Sequence, residues 1–592
     1  MARSLPRPPI WQRLVRRGTA WPRWIAKQAR SIESLFVVVA VVVGMGAGLL
    51  TVIQGAVART LQHIAFGLPA NMRLSGMPDL DWRQLLMLPV GGAVLVLFNR
   101  LVRARRRSLV DAVEANALHG GRLSVRDSAI VSGQTMLSNG FGASVGLEAA
   151  YAQLGGLIAS LIGRWLKLRR IEVRTLVGAG AGGAIAAAFG APLAGAFYAF
   201  EVVIGAYTPA AIAPVVAAAL AGAQTAQRLG VVPYIVHVER GPAIHGLGYL
   251  VYGALGVICA VVGIVIMRAV GMVEGRARAV LPGWGRPIAG GLLLAALAAV
   301  SPQVLSAGHS ALHINMMAAI PLTVIATVLV MKALASIISL GFGFRGGLFF
   351  ASLFLGTLIG HLYAGLLGWM IGASVLDPGN AAMVGMAALA VAVIGAPFTM
   401  TMLVLEATGN FSLTGAVLAA SLVSSTIVRQ FFGYSFSTWR LHLRGETIRS
   451  ARDVGWVKAL TAGRMMRRQP NLVPQDMTVV EFRRRFPLGS TSRVVLVDAD
   501  ERYVGIVTPV AAHDATVEGD AAIGTLADGQ DQALRPDMDI QMVMAAFDAA
   551  RRDELAVVDA EGRVLGLLTE AHVRRRYGEE LEKAQRELFG EA

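Results

Sequence analysis

Apolar runs long enough to cross a bilayer, mixed with pieces too short to do so, constrain this chain more than any other feature. Leu35–Val57, Leu85–Phe98, Leu247–Met267, Pro287–Val300 and Ile320–Leu340 reach or approach the length of a hydrocarbon core, about 20 helical residues. Lipid offers backbone N–H and C=O groups no partners, so such runs must pair internally as helices. With 55% apolar and 16% charged residues and a mean hydropathy of +0.58, an ordinary soluble enzyme is excluded. The charges gather in residues 1–30, in short loops and after residue 438. The expectation is an all-α polytopic membrane domain followed by a smaller soluble module.

Topology can be read from the cations. Residues 1–30 hold Arg3, Arg7, Arg13, Arg16, Arg17, Arg23, Lys27 and Arg30, no acidic residue, and Trp11, Trp21 and Trp24 between them. The apolar stretch behind them starts late, is long and lacks a small-residue cleavage site, which disfavours a signal peptide. A cytoplasmic basic tail with interfacial tryptophans fits better and places the N-terminus inside. Arg100, Arg103, Arg105, Arg106 and Arg107 form a second cluster, and Arg164, Lys167, Arg169, Arg170 and Arg174 a third. Each is either a solvated cytoplasmic face or a means of focusing anions toward a pore entrance. The net charge of +16 reflects this excess on short loops and does not call for nucleic acid.

Within the apolar region, Gly142-Ala143-Ser144-Val145-Gly146-Leu147-Glu148 carries a single carboxylate. Gly142 and Gly146 allow backbone N–H groups to approach a ligand, and Ala149–Gly163 can continue as a helix. A helix starting there points its unpaired N–H groups and positive dipole end at the turn, which makes an anion site. An intramembrane carboxylate is costly and is read as functional. Glu148 stands where the anion would bind.

Gly190-Ala191-Pro192, an apolar helix and Glu201 recur as Gly395-Ala396-Pro397, an apolar helix and Glu406. Each proline suits a first helical position. Each copy follows an Ala-rich segment, Gly178–Phe189 or Ala381–Ile394, that reads as too short to span. The turn at Gly146 likewise has a counterpart in Gly341 through Phe350, with Arg345 beside it. Paired interrupted segments in two halves mark inverted repeats whose half-helix ends meet a substrate near the midplane.

The stretch around Glu148 resembles the G(R/K)EGP signature of the CLC family of chloride channels and proton–chloride exchangers, with Gly-Leu-Glu-Ala-Ala in its place. Gly346-Gly347-Leu348-Phe349 resembles the family's second anion-binding helix start, and the two Gly-Ala-Pro helices resemble its paired "APLAG" and "APLTG" helices. From Ser31 to Gly445 the resemblance implies a CLC-type inverted repeat with broken helices, working as a homodimer. It implies chloride or a similar small anion as cargo and Glu148 as gate, with Gly146, Leu147, Ala149, Gly347, Leu348 and Phe349 at the anion.

Three departures bear on mechanism. The family's serine loop falls on Arg107 or Ser108, so chloride preference does not carry across. Its central tyrosine falls on Ser437, with Tyr434 out of register. Its proton-transfer glutamate, next to Glu201, is Val202, which cannot carry a proton. The reading is a channel-like anion path, with a proton-coupled exchanger as alternative. Arg345 is an added cation, either facing the anion or capping a vestibule. Protonation of Glu148, from a reference pKa near ~4.3, would release its side chain and open the path.

Residues 446–592 change character. Val494 through Thr508 is echoed by Leu555 through Thr569, each reading as strand, Asp-containing turn, strand and helix. The pair, about 463–514 and 521–578, resembles a tandem CBS module, a small cytoplasmic α/β unit. The acidic ribose-holding positions of nucleotide-binding CBS pairs are Ala511 and His572 here, so an assembly module without ligand is expected over nucleotide sensing. Tyr577–Ala592 reads as a charged, solvated helix.

A cation-coupled organic anion transporter is the other membrane reading, but paired Asp, Asn or Ser ligands at the breaks are sparse. No HExxH, Ser–His–Asp set or phosphate loop speaks for an enzyme. Cys259 is the only cysteine, His309, His313 and His361 form no ligand-spaced cluster, and no cofactor or metal is expected. The expected location is a bacterial inner membrane, multi-pass, with both termini cytoplasmic.

Overall fold

The computed structural model describes residues 33–69, 72–102, 109–231, 244, 246–317, 320–371, 376–443, 460–491, 493–530 and 532–589. The basic tail 1–30 and the loop holding Arg107 and Ser108 lie outside these residues, as does the expected domain boundary near 445. The chain forms two compact units, Met1–Asp453 and Val454–Ala592.

The regular elements of the first unit are helices throughout its described residues, with one isolated bridge between two turns. Its first repeat comprises α1 (Glu33–Phe66), α2 (Trp82–Val102), α3 (Ala112–Leu118), α4 (Val125–Gly140), α5 (Glu148–Trp165), α6 (Arg170–Phe189), α7 (Pro192–Tyr198) and α8 (Pro209–Arg228). The second follows with α9 (Gly248–Val280), α10 (Gly285–Val300), α11 (His309–Met317), α12 (Leu322–Gly341), α13 (Phe349–Ile371), α14 (Pro378–Ile394), α15 (Pro397–Thr408), α16 (Phe411–Phe431) and α17 (Phe436–His442). Among the described residues, eight helices are long and apolar enough to cross a membrane, and the chain is an integral multi-pass membrane protein.

One expectation needs correcting. Gly178–Phe189 is not a short segment; it is the C-terminal part of α6, whose 20 residues begin at Arg170 and are apolar enough to span. Arg170, Glu172 and Arg174 concealed the first turns, and Glu172 accepts the Arg169 N–H at 2.6 Å to start the helix. Its partner α14 is 17 residues long.

The helices pack through small residues. A Cβ on Gly155 of α5 would run into the backbone of Gly180 on α6, and one on Gly356 of α13 into Gly385 on α14. Such close approach replaces the hydrophobic drive that lipid cannot supply.

The two Gly-Ala-Pro helices complete one another. Glu201, in the π-helical turn Ala199–Ile204 that ends α7, accepts the N–H groups of Phe398 and Thr399 at 3.1 and 2.8 Å and the Thr399 hydroxyl at 2.7 Å. Glu406 at the end of α15 accepts those of Leu193 and Ala194 at 2.8 and 2.9 Å. Each carboxylate satisfies the unpaired donors at the other helix's proline start. Glu201→Ala should destabilise the fold by about 2 kcal/mol, the worth of a lost hydrogen-bonded charge. The check is thermal unfolding in detergent, where an unchanged Tm would show the crossing to be idle.

The second unit builds the expected repeat, and adds a strand to each copy that the pattern did not announce. After α18 (Ala462–Met465) come β1 (Leu472–Pro474), α19 (Val479–Arg485), β2 (Val494–Val497), β3 (Tyr503–Val507) and α20 (Pro509–Ala512). The second copy has β4 (Ala533–Leu534), α21 (Ile540–Ala550), β5 (Glu554–Val558), β6 (Val564–Thr569) and α22 (Glu570–Phe589). In each, a parallel pair (β1–β2, β4–β5) adjoins an antiparallel one (β2–β3, β5–β6). Asp498 accepts the Asp500 and Arg502 N–H groups, and Asp559 those of Glu561 and Arg563, so one turn is built twice. The Thr508 and Thr569 hydroxyls accept the N–H groups of Ala511 and His572, where they cap helices.

Candidate functional site

Two turns meet at the centre of the first unit. Gly146 and Gly347 form an antiparallel bridge: the Gly146 N–H donates to the Gly347 carbonyl at 2.9 Å, and the Gly347 N–H to the Gly146 carbonyl at 3.2 Å. The bridge aligns the starts of α5 and α13.

The turns are held by a reciprocal scaffold. Ser138 on α4 accepts the Ala143 N–H through its carbonyl at 2.9 Å and the Arg345 N–H through its hydroxyl at 3.0 Å. Ser339 on α12 does the same for Phe344 at 3.0 Å and Ser144 at 2.9 Å. Gly142 and Gly343 take φ values of +83° and +98° at matching positions, left-handed backbone that favours glycine.

Glu148 is 3% exposed. Backbone N–H groups of Glu148 itself and of Phe350 face its carboxylate, so donors from both helix starts converge on one side chain. A Cβ on Gly146 would occupy the carboxylate's seat. The Oε2 atom is buried without a hydrogen-bond partner.

Two cavities adjoin this turn pair. One, of about 140 Å³, is lined by Leu147 and Glu148 together with Arg59, Arg73, Tyr151, Ser306, His309 and Phe350. The other, of about 80 Å³, is lined by Ala149, Gly347, Arg345 and Ser437, with Asp111, Thr135, Gln153 and Arg440. Leu147, Ala149, Gly146, Gly347, Glu148, Arg345 and Ser437 are thus gathered around one bridge. Leu348 and Phe349 are buried, and the Phe349 ring packs on Phe189 and Tyr198 with centroids 5.1 and 6.2 Å away. What they can offer a ligand is backbone N–H. Tyr434 is elsewhere, its hydroxyl 3.2 Å from His442 Nδ1 at an exposed position.

Several residues at the site lie outside the motifs of the sequence. The Phe350 ring is covered by the His309 imidazole at 3.7 Å. The Gln62 amide donates to Asn139 and to the Ser306 hydroxyl, and the Asn139 amide donates to the Val145 carbonyl at 2.7 Å. Lys332 on α12 is fully buried and donates to the Val304 and Ser306 carbonyls at 3.0 and 2.9 Å. Its signal was present: it is the lone charge in the run Ile320–Leu340, and the rule applied to Glu148 fits it equally.

Residues 90–429 match the family model described as voltage gated chloride channel, and residues 462–510 and 532–579 match that of the CBS domain. A protein of Ralstonia nicotianae named as a ClcB-like chloride channel is 30% identical over 394 residues, 65% of this chain and 91% of that one. A slow cyanobacterial Cl⁻/H⁺ antiporter has the same membrane fold, with a TM-score of 0.60 at 21% identity over 69% of this chain and 97% of its own. A eukaryotic CLC transporter aligns over 92% of this chain and 98% of its own, with a TM-score of 0.59 at 17% identity.

Proposed function

The chain belongs to the voltage gated chloride channel family, and on that premise we propose that it carries small anions, chloride among them, along a path gated by Glu148. The observation that carries this reading is the Gly146–Gly347 bridge, which brings donors from two helix starts to one buried carboxylate. A helix N-terminus attracts anions through its unpaired N–H groups and its dipole. Ionised Glu148 accepts those donors itself and so competes with a bound anion. Protonation removes the competing charge and lets the side chain leave.

The backbone of Leu147, Ala149, Leu348 and Phe349 supplies the donors, whereas the N–H groups of Gly146 and Gly347, also expected at the anion, are spent on the bridge between the two turns; Ser437 and Arg345 meet the anion in the smaller cavity. Arg107 and Ser108, the other sequence candidates, fall outside the described residues. Arg345→Ala should weaken anion binding about threefold to tenfold, the loss of one charged contact, measured by calorimetry in detergent. Unchanged affinity would leave Arg345 a vestibule residue.

Passive conduction is favoured over proton coupling because Val202 has no group to carry a proton beside Glu201. A homodimer in a bacterial inner membrane, with both termini cytoplasmic, completes the proposal. The apolar Leu193 and Phe398, 41% and 39% exposed on neighbouring helices, suit a subunit interface. The deciding experiment is halide efflux from loaded liposomes with a pH electrode in parallel. Anion flux without stoichiometric proton movement supports the reading, stoichiometric counter-movement makes the protein an exchanger, and absence of halide flux sinks both.

A further inference from the structure

We propose that a basic cavity between α5 and α6 binds a phosphate-bearing anion, the headgroup of an anionic phospholipid being the occupant its position favours. His119 and Arg122 follow α3, Arg164 lies in the last turn of α5 with Lys167 just past its end, and Arg170 begins α6. They line a cavity of about 740 Å³ whose described lining includes no carboxylate. All five are exposed. Among the described residues Arg122, Arg164 and Arg170 form no ion pair. Like charges lining one cavity repel one another, and an anion bound between them relieves that repulsion. Phosphate is the anion whose oxygens match several guanidinium forks at once.

The backbone adds an independent observation. Helix α5 ends with the Leu168 N–H on the Gly163 carbonyl at 2.9 Å and the Lys167 N–H on the Arg164 carbonyl at 3.1 Å. This is the two-bond ending whose left-handed residue is usually glycine, yet Lys167 occupies it at φ +53°. The left-handed backbone fixes where the Lys167 side chain leaves the helix end, beside the cavity that it lines.

The surroundings point to lipid. Leu118, Leu168 and Val173 share the cavity with the cations. Trp165 and Leu161, on the last turns of α5, are 59% and 39% exposed, beside α6, which is apolar enough to span, and an exposed tryptophan next to cations is the pairing that suits a headgroup region. Basic pockets between membrane helices suit anionic headgroups. The site is the length of α5 away from Glu148, roughly 27 Å for 18 residues, so it is distinct from the turn that carries the gate.

The test titrates the full-length protein in detergent with three probes by calorimetry: short-chain phosphatidylglycerol, short-chain phosphatidylcholine and inorganic phosphate. Phosphatidylglycerol should bind at least about tenfold more tightly than phosphatidylcholine, weaken with added salt, and lose about tenfold in an Arg122→Gln/Arg164→Gln/Arg170→Gln variant. If inorganic phosphate binds as tightly and is lost in the same variant, the site stands with free phosphate as its occupant. Lys167→Gly guards against misfolding, because glycine relaxes the left-handed turn: Tm should rise while affinity falls severalfold. Equal binding of the two lipids, or full affinity in both variants, overturns the proposal.

Discussion

Glu148→Ala is expected to free anion flux from control by pH. In the unaltered protein, acidification should raise flux, because protonation removes the charge that competes for the N–H groups of Glu148 and Phe350. A flux that tracks the protonated fraction changes by up to about tenfold per pH unit on the alkaline side of the titration. The alanine variant should vary less than about twofold over the same range and match the acid-stimulated rate at neutral pH. Glu148→Gln, a permanent mimic of the protonated form, should behave alike. Liposome efflux at stepped pH reads both variants. A Glu148→Ala protein that keeps the original pH response would leave the carboxylate with a structural task only, such as holding the start of α13.

The second large effect is expected at Lys332. Its ammonium ties the Val304 and Ser306 carbonyls to α12. Ser306 has a left-handed φ of +51° and donates its N–H to the Gly142 carbonyl at 3.0 Å. Lys332 therefore supports the turn that carries Glu148 through two links. Lys332→Ala should cost about 3–5 kcal/mol, the sum of a cavity and two orphaned buried carbonyls. Lys332→Met keeps most of the volume and loses only the donors, so it should cost about half as much. Thermal unfolding in detergent orders the three proteins. Equal stability of the methionine variant and the parent would mean that the two carbonyls find other donors.

These two residues also show what could be read from the chain beforehand. Glu148 was legible because a lone carboxylate between glycines in an apolar region has few structural uses. Arg345 and Ser437 were found by position in a repeat and by resemblance, and they line one cavity. Lys332 is covered by the same reasoning but belongs to no repeat or motif. Ser138 and Ser339 could not have been singled out: each is one serine among many, and their use depends on a mirrored packing that no local pattern encodes. The start of α6 is hidden for another reason. Charges at Arg170, Glu172 and Arg174 resemble a loop, whereas in space they form the wet first turn of a spanning helix. In the second unit, β1 and β4 have three and two residues, too few to display an alternation.

The exchange of carboxylates between Glu201 and Glu406 has a consequence for the order in which the protein is made. The acceptor for the Leu193 N–H lies 213 residues further along the chain. At about 5–20 residues per second, the first repeat leaves the ribosome tens of seconds before its partner can dock. During that wait the Leu193 and Ala194 N–H groups lack the Glu406 carboxylate that they bond in the finished fold. Neither half is expected to mature when produced alone, whereas two fragments made together in one cell should reassemble.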